Sequence, residues 1–254
     1  MRKVALVIPC YNEELRLRPE VYIETLAAYD RLDIIFVDDG SSDGTAATLE
    51  HIRASMPERV IVVIHPRNQG KAEAVRTGVL LAAAKGYPIA GYWDADHATP
   101  LRLAPRLIAA MEDVGAQMAL GSRVRLLGKR IQRSFVRHYL GRVFATAVSL
   151  ILDMGVYDTQ CGAKIFILSD VILSAFAKPF AARWVFDVEL MARIVCGFAA
   201  EGREGLETKI IEYPLDEWAD VAGSKLRPAH YFLATLDIAM IALRYGPSIR
   251  RLHR

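Results

Sequence analysis

The chain has 254 residues, of which 53% are hydrophobic and 24% are charged, so we expect a globular protein with a large core. Its net charge of +3 is too small to indicate a nucleic-acid-binding protein. No stretch reaches the roughly 18 uncharged apolar residues that a spanning helix needs, so we expect no transmembrane segment.

Apolar runs alternate with segments of helical spacing through the first half of the chain. The five predicted strands cover residues 3–9, 32–40, 59–65, 89–96 and 116–123. The four predicted helices cover residues 19–30, 42–56, 70–86 and 100–115. Because these strands lack polar alternation and are separated by helices, the pattern predicts an α/β fold with a mostly parallel sheet covered on both faces.

The alternation fades in the second half. Helices are predicted at residues 131–152 and 186–198, and strands at residues 161–168 and 208–215. The segment 229–245 is amphipathic and is followed by a basic end. Because no linker-like segment divides the chain, we expect residues 1–228 to form one domain. The C-terminal helix and tail of residues 229–254 should belong to the same structural unit.

The cysteines and the first residues of the chain indicate the cellular compartment. The first residues, MRKVALVIPCYNEE, turn polar and acidic after a short apolar run, so we expect no signal peptide. Three cysteines are an odd number for a long chain, and no Cys and His cluster has zinc-binding spacing. We therefore expect reduced thiols and a cytoplasmic protein. The cysteines are Cys10, Cys161 and Cys196.

Polar segments follow four of the first five predicted strands. They are PCYNEE, DDGSSDGT, DADHATP and GSR. In an open parallel sheet, ligands bind at the carboxyl ends of the strands. A capped turn explains DDGSSDGT taken alone, but four such segments at one edge indicate a ligand-binding site.

The acids Asp94 and Asp96 stand one residue apart at the end of an apolar run. If strand geometry persists, both side chains point to the same face, where they repel unless a cation lies between them. Mg²⁺ or Mn²⁺ bridges carboxylates to phosphate oxygens, so the pair predicts a metal-diphosphate site. A glycoside hydrolase pair needs about 5 Å or more between carboxyl groups and fits less well. Two solvated loop acids are the plain alternative, and His97 stays open as ligand, stacking group or bystander.

These motifs resemble the family 2 glycosyltransferases of GT-A fold. The segments IPCYNEE, VDDGSSDGT, NQGKAEAVRTG, DADHATP and GSR carry the resemblance. YDTQCGAKIF, RWVFDVELMAR and EWADVAGSKLRP are similar to segments of dolichyl-phosphate glucosyltransferases and dolichyl-phosphate mannose synthases. The resemblance spans roughly residues 3–228. It implies a Rossmann-like, mostly parallel sheet flanked by helices, with a C-terminal helical elaboration.

For the nucleotide, the resemblance implies five residues. Pro9, Tyr11 and Glu13 are expected to lie against the nucleotide. Asp39 is expected to bind the base, with Val37 beside it.

For the metal and the diphosphate, the resemblance implies another five residues. The segment Asp94, Ala95 and Asp96 is expected to bind the diphosphate, and Asp94 and Asp96 are the expected metal ligands for Mg²⁺ or Mn²⁺. Arg123 and Lys225 are the expected clamps on the donor phosphates, although a surface cation is the plain alternative for each.

Two departures from the mannose synthases bear on the donor. Those enzymes often have Gln two places after the second acid; here Ala98 stands there, so that ligand is absent or is replaced by His97. They also have an arginine shortly before the lysine that corresponds to Lys225, where this chain has Trp218 and Asp220. The missing arginine, together with the segment DTQCG, favours UDP-glucose over GDP-mannose as the donor.

The implied reaction is an inverting transfer of glucose from UDP-glucose to a polyprenyl phosphate. The acceptor, a phosphate monoester with a second pKa of about 6, is already an anionic nucleophile, so a general base is dispensable. A GDP-mannose-dependent mannose synthase is the alternative within the fold. A non-catalytic nucleotide-binding membrane adaptor is the alternative from another class. Nucleotidyl transfer would predict a glycine-rich basic loop after the first strand, which CYNEELRLRP does not provide.

A basic segment without acids, between Asp113 and Asp153, is the candidate for binding the acceptor phosphate. The candidate residues are Arg133, Ser134 and Arg137, since arginines suit bidentate phosphate contact. A solvated helix face is the alternative.

Asp187 takes the place of the catalytic base in family 2 enzymes that use hydroxyl acceptors. Here the expectation is that Asp187 orients the acceptor or the sugar, or pairs with an arginine such as Arg183.

A lipid acceptor requires contact with a membrane surface. Basic residues interleaved with Phe135, Tyr139, Leu140 and Phe144 suit an interfacial helix, and the basic tail with Arg254 suits an anionic leaflet. An apolar helix face is also typical of ordinary core. We expect peripheral binding on the cytoplasmic face, and the oligomeric state is left open.

Overall fold

The computed structural model describes residues 2–132, 135–202, 206–219, 221 and 228–251. The strands in these ranges are β1 (Val4–Cys10), β2 (Leu32–Asp38), β3 (Val60–Ile64), β4 (Ile89–Trp93), β5 (Met118–Ser122), β6 (Arg130–Gln132), β7 (Ala163–Ile167), β8 (Ile210–Pro214) and β9 (Glu217–Ala219). The α-helices are α1 (Pro19–Ala28), α2 (Thr45–Ser55), α3 (Lys71–Ala84), α4 (Ala104–Asp113), α5 (Phe135–Leu152), α6 (Asp170–Phe176), α7 (Phe186–Ala200), α8 (Leu206–Lys209) and α9 (Pro228–Arg251).

Seven strands form one mixed sheet in the order β3-β2-β1-β4-β7-β5-β8. The pairs among β3, β2, β1 and β4 are parallel, as is the pair β5 and β8. Strand β7 lies between β4 and β5 and is antiparallel to both. The carboxyl ends of β1, β2, β4 and β5 therefore meet at one edge, which confirms the mostly parallel sheet that the sequence predicts.

Both faces of the sheet are apolar because both are covered by helices. Along β1, Ala5 and Val7 pack in one cluster with α3, α5, α6, α7 and α9, while Leu6 and Ile8 pack in a second cluster with α1, α2 and α4. Alternate strand residues point to opposite faces, so a strand buried on both sides has no polar alternation. A Cβ atom at Gly78 would lie 2.3 Å from a methyl carbon of Val7, so this glycine lets α3 approach the sheet closely.

The predicted helix over residues 131–152 begins too early. Residues 130–132 form β6, which pairs in parallel with β9, and α5 begins only at Phe135. Ile131 pairs with Trp218 in this ladder, and both side chains are buried. The burial of Ile131 against a distant strand outweighs the local helical spacing.

The C-terminal helix α9 packs against α7 and α5. Within the described ranges, no helix has the combination of length and apolar character that crossing a bilayer requires. The three cysteines are free thiols; Cys10 and Cys161 are buried and Cys196 is half-buried.

Candidate functional site

The loop after β1 is held against the loop after β2. The backbone N–H of Asn12 donates to Ser41 Oγ at 2.9 Å, and the N–H of Ser42 donates to Asn12 Oδ1 at the same distance. The N–H of Glu13 donates to Thr45 Oγ1 at 2.8 Å. These bonds fix the first loop beside the start of α2, at the carboxyl edge of the sheet.

Four of the five predicted nucleotide residues lie at this edge. Pro9 is near the end of β1, Tyr11 and Glu13 are in the loop that follows, and Asp39 comes directly after β2. Val37 differs, because its side chain is fully buried in the cluster that α3 covers. The structure therefore does not bring the Val37 side chain to the edge.

Asp39 organises the loop between β3 and α3. Its carboxylate accepts hydrogen bonds from the backbone N–H groups of Gln69 at 2.9 Å and Gly70 at 2.7 Å, and lies 2.8 Å from His65 Nδ1. Gly70 has a φ of 97°, a conformation that favours glycine. Asp39 thereby fixes the first turn of α3, where Lys71 is the first residue.

The acids after β4 lie in a turn and not in a strand. Strand β4 ends at Trp93, so the predicted strand through residue 96 is too long. The N–H of Ala98 donates to Asp96 Oδ1 at 3.0 Å, which closes the turn. Burial, and then the nearby charge of Asp94, raise the pKa of Asp96. The two carboxylates are therefore close neighbours, but the turn and not strand alternation brings them together.

His97 packs against Tyr22 with its ring tilted by 49° from the tyrosine ring. It has a φ of 58°, and its ring centroid lies 5.2 Å from that of Tyr22. Burial lowers the pKa of His97. Within the ranges that the structure describes, no three His, Cys, Asp or Glu side chains converge as a metal-binding group.

A cation already lies at Asp94. The ammonium Nζ of Lys71 is 2.5 Å from Asp94 Oδ1. The Asp94 N–H donates to the carbonyl of Gly162 at 2.9 Å, and a Cβ atom at position 162 would lie 2.0 Å from Asp94 Oδ2. The absence of a side chain at Gly162 therefore makes room for this carboxylate. The acid pair is suited to binding a positive ion, because the ammonium of Lys71 already contacts Asp94.

Lys71 is not among the residues predicted from the sequence. Its Nζ lies 6.0 Å from the ring centroids of both Tyr92 and Phe186. Burial lowers the pKa of Lys71, but the charges of Asp94 and Asp187 more than offset that effect and the net pKa is raised. A lysine at the first position of a helix opposes the helix dipole, and that was the available signal in NQGKAEAVRTG.

Asp187 is a buried carboxylate with two donors. It lies in the first turn of α7 and accepts hydrogen bonds from Lys164 Nζ at 2.6 Å and from the hydroxyl of Tyr92. Lys164 is fully buried and also donates to the carbonyl of Cys161 at 2.7 Å. The prediction that Asp187 pairs with Arg183 is therefore wrong, because the cation on Asp187 is Lys164 of β7. The single lysine in the apolar segment AKIFI could have indicated a buried cation that needs an acidic partner.

Arg123 forms a bidentate pair with Asp158, directly after β5. Arg123 Nε lies 2.6 Å from Asp158 Oδ2, and Nη2 lies 2.8 Å from Oδ1. The guanidinium also stacks on Trp218, 5.2 Å from the ring centroid. Burial lowers the pKa of Arg123, but the Asp158 charge outweighs this effect and the net pKa is raised. The same fork geometry suits phosphate oxygens.

A pocket lies beside this pair, between α5 and residues 157–160. Its lining includes Arg123 and Arg142, and the Arg142 guanidinium stacks on Tyr157 at 4.2 Å. Thr159 is only 2% exposed. Its hydroxyl and the buried amide nitrogen of Gln160 have no hydrogen-bond partner among the described residues. The pocket therefore offers positive charge and unsatisfied polar groups.

Several predicted residues lie beyond this description. Arg133, Ser134 and Lys225 lie outside the described residues. Arg137 lies in α5, but its side chain is outside the described part of the chain.

The sheet, with two acids after β4 and a guanidinium after β5, has the arrangement expected of the GT-A class. Residues 5–170 match the sequence model of Glycosyl transferase family 2, and the chain belongs to this family. Its sequence is 33% identical to a mouse dolichyl-phosphate beta-glucosyltransferase, across 96% of this chain and 76% of the mouse protein. The human protein of that name is 31% identical, across 100% of this chain and 79% of its own length.

A solved structure shares the fold. It is glucosyl-3-phosphoglycerate synthase from Mycobacterium tuberculosis, in complex with Mn²⁺, uridine diphosphate and glucosyl-3-phosphoglycerate. The two chains are 22% identical with a TM-score of 0.62, over 96% of this chain and 80% of the other. The resemblance to family 2 and the GT-A fold are thus confirmed.

Proposed function

We propose that the chain transfers glucose, with inversion, from UDP-glucose to a polyprenyl phosphate of the dolichyl type. The observation that carries the proposal is the convergence at one sheet edge of the acid pair Asp94 and Asp96 with the Arg123–Asp158 pair. The names of the relatives, which match over nearly the whole chain, support glucose as the sugar and dolichyl phosphate as the acceptor.

A divalent ion, Mg²⁺ or Mn²⁺, would be held by Asp94 and Asp96. Two observations support this assignment: the ammonium of Lys71 on Asp94 and the space that Gly162 leaves for the carboxylate. When bound, the ion supplies positive charge that stabilises the departing diphosphate.

The donor would lie across the carboxyl ends of β1, β2 and β4. Pro9, Tyr11 and Glu13 would contact the nucleotide, and Asp39 would accept a hydrogen bond from the base. The partial exposure of Tyr11, at 39%, supports this placement. Because the side chain of Val37 is buried, Val37 would only support the neighbouring strand.

The phosphates of the donor would be bound by cationic side chains and by the turn after β4. Ala95 would offer backbone groups from that turn, while Arg123 and Lys225 would bind phosphate oxygens. In its pair with Asp158, Arg123 is rigid, so little side-chain entropy is lost when a phosphate binds.

The acceptor phosphate would enter the pocket beside Arg123. Arg142 and the free donors of Thr159 and Gln160 would contact its oxygens, in addition to the earlier candidates. Those candidates are Arg133, Ser134 and Arg137. One phosphate oxygen attacks the anomeric carbon of glucose as the bond between that carbon and the diphosphate oxygen breaks. The electron pair leaves with uridine diphosphate, and no proton needs to be removed from the acceptor.

Asp187 would orient the sugar and would not act as a base. Its carboxylate already accepts hydrogen bonds from Lys164 and Tyr92, which hold it in one orientation. A carboxylate fixed in this way is suited to accepting a sugar hydroxyl hydrogen bond.

The chain would bind peripherally to the cytoplasmic face of a membrane. The loop between β5 and β6 exposes Leu126 at 46% and Leu127 at 104%, next to the exposed Arg125. Leucines beside arginines suit an anionic bilayer surface. Because α9 packs on α7 and α5, residues 1–228 and 229–254 would form one unit at that surface.

A labelled-donor assay tests the proposal. The purified chain is incubated with a short polyprenyl phosphate, Mn²⁺ and UDP-glucose, UDP-galactose or GDP-mannose in turn, and label is counted in the organic phase. We expect transfer from UDP-glucose and its loss by about 100-fold or more in the double variant Asp94→Asn, Asp96→Asn. Equal activity of that variant would refute the metal site. Transfer only from GDP-mannose would favour the mannose synthase alternative, and no transfer from any donor would favour the adaptor.

A further inference from the structure

Lys71 occupies the position where the charge of a metal is expected. Its ammonium lies 2.5 Å from Asp94 Oδ1, in contact with one of the two expected metal ligands. We infer that Lys71 offsets part of the charge of the acid pair before the metal binds, and that the donor diphosphate draws Lys71 away from Asp94. Metal and donor would thus bind cooperatively through Lys71. This inference rests on the proposed function.

A divalent ion and the ammonium compete for Asp94. A metal–oxygen bond to Asp94 of about 2.0–2.2 Å would place the ion within a few ångströms of an ammonium that contacts the same carboxylate. Two cations that close repel each other. Metal binding to the free protein therefore requires Lys71 to leave Asp94.

The side chain of Lys71 can leave while its backbone stays in place. The first turn of α3 is fixed by the hydrogen bond from Gly70 to Asp39, whereas the Lys71 side chain is 41% exposed. Four rotatable bonds allow the ammonium to reach a new partner nearby.

Among the residues that the structure describes, no acid outside the pair of Asp94 and Asp96 offers Lys71 an equally good second partner. The charge of Asp187, another acid that acts on Lys71, is already balanced by the fully buried ammonium of Lys164, 2.6 Å away. A diphosphate bound beside Asp94 supplies new anionic oxygens within the same space. Lys71 would therefore oppose metal binding when alone and assist it once the donor is present.

Thermodynamic reciprocity makes this coupling measurable. Manganese binding is followed by the electron paramagnetic resonance signal of free Mn²⁺, with and without uridine diphosphate. The proteins compared are the wild type, Lys71→Met, Lys71→Arg and the control Lys85→Met. Lys85 is an exposed residue just after the last turn of α3, distant from the acid pair.

In Lys71→Met we expect Mn²⁺ alone to bind about tenfold more tightly than in the wild type. We also expect the tightening caused by uridine diphosphate to shrink by about tenfold, within the usual range of coupling between two sites. Lys71→Arg keeps the charge and should retain much of the competition, and Lys85→Met should match the wild type. Thermal unfolding of each variant checks that it is folded.

Unchanged Mn²⁺ affinity of folded Lys71→Met, with an unchanged effect of uridine diphosphate, would overturn the inference and leave the proposed function standing. A wild-type protein that binds neither Mn²⁺ nor uridine diphosphate would overturn both. Loss of Mn²⁺ binding in Lys71→Met would likewise contradict competition, since it would make the lysine a support of the site.

Discussion

Replacement of Gly162 by alanine tests how the acid pair is built. The new Cβ atom would lie 2.0 Å from Asp94 Oδ2, and an ordinary contact begins at 3.4 Å. The carboxylate must therefore move by about 1.4 Å, or the strands must separate. Metal-ligand distances tolerate only about 0.2 Å, so a displacement of this size removes Asp94 from the metal.

We expect Gly162→Ala to weaken Mn²⁺ binding and glucosyl transfer by about 10–100-fold, the range seen when a residue that orients a metal ligand is changed. Overpacking should lower the free energy of unfolding by about 1–3 kcal/mol. Gly155→Ala is the matched control, since nothing lies within 4 Å of its added Cβ atom. Calorimetric Mn²⁺ titration and urea unfolding measure both effects. Wild-type Mn²⁺ affinity in Gly162→Ala would refute the argument that this glycine accommodates Asp94.

Three further predictions concern buried or half-buried groups. Lys164→Met should lower the free energy of unfolding by about 3–5 kcal/mol in urea titrations, because it leaves the buried carboxylate of Asp187 without its cation; a loss below 1 kcal/mol would contradict this pairing. Burial and then the hydrogen bond to Asp33 raise the pKa of Tyr87 to about 12. The contribution of neutral Tyr87 to the free energy of unfolding is therefore complete below the unfolded pKa of about 10 and is lost as the pH rises through 12. Tyr87→Phe should cost about 1 kcal/mol at pH 8 and abolish that pH dependence, as unfolding measured from pH 8 to 12 would reveal. Burial raises the pKa of Cys161 to about 12, so a thiol reagent at pH 8 should modify it only after unfolding, and rapid labelling of the native protein at Cys161 would count against the structure.

Apolar runs were sufficient to predict the first four strands and the helices that separate them. This success has a physical reason, because a strand buried on both faces must be apolar throughout and the intervening helices must each bury one face. The direction of β7 was not predictable, since AKIFI has the same pattern in either orientation. The short strand β6 was missed because its stability comes from pairing with β9, far along the chain.

The candidate site was predictable as a set of acids and cations, but their pairing was not. Asp94 and Asp96 stand out by spacing, whereas the partners of the charged groups come from other strands and helices. Asp158 holds Arg123 across 35 positions, and Lys164 holds Asp187 across 23. Such contacts depend on sheet order, which local spacing does not determine.

The reversed strand β7 sets an order of assembly. Strands β3, β2, β1 and β4 are complete by Trp93, but β5 has no neighbour in the main sheet until residues 163–167 and 210–214 emerge from the ribosome. The glycine that accommodates Asp94 and the lysine that neutralises Asp187 belong to this same late segment. A nascent chain halted before residue 160 would therefore have Asp94 and Asp96 without the glycine that accommodates Asp94. The site would be complete only after β7 and β8 have been synthesised and have paired with β5.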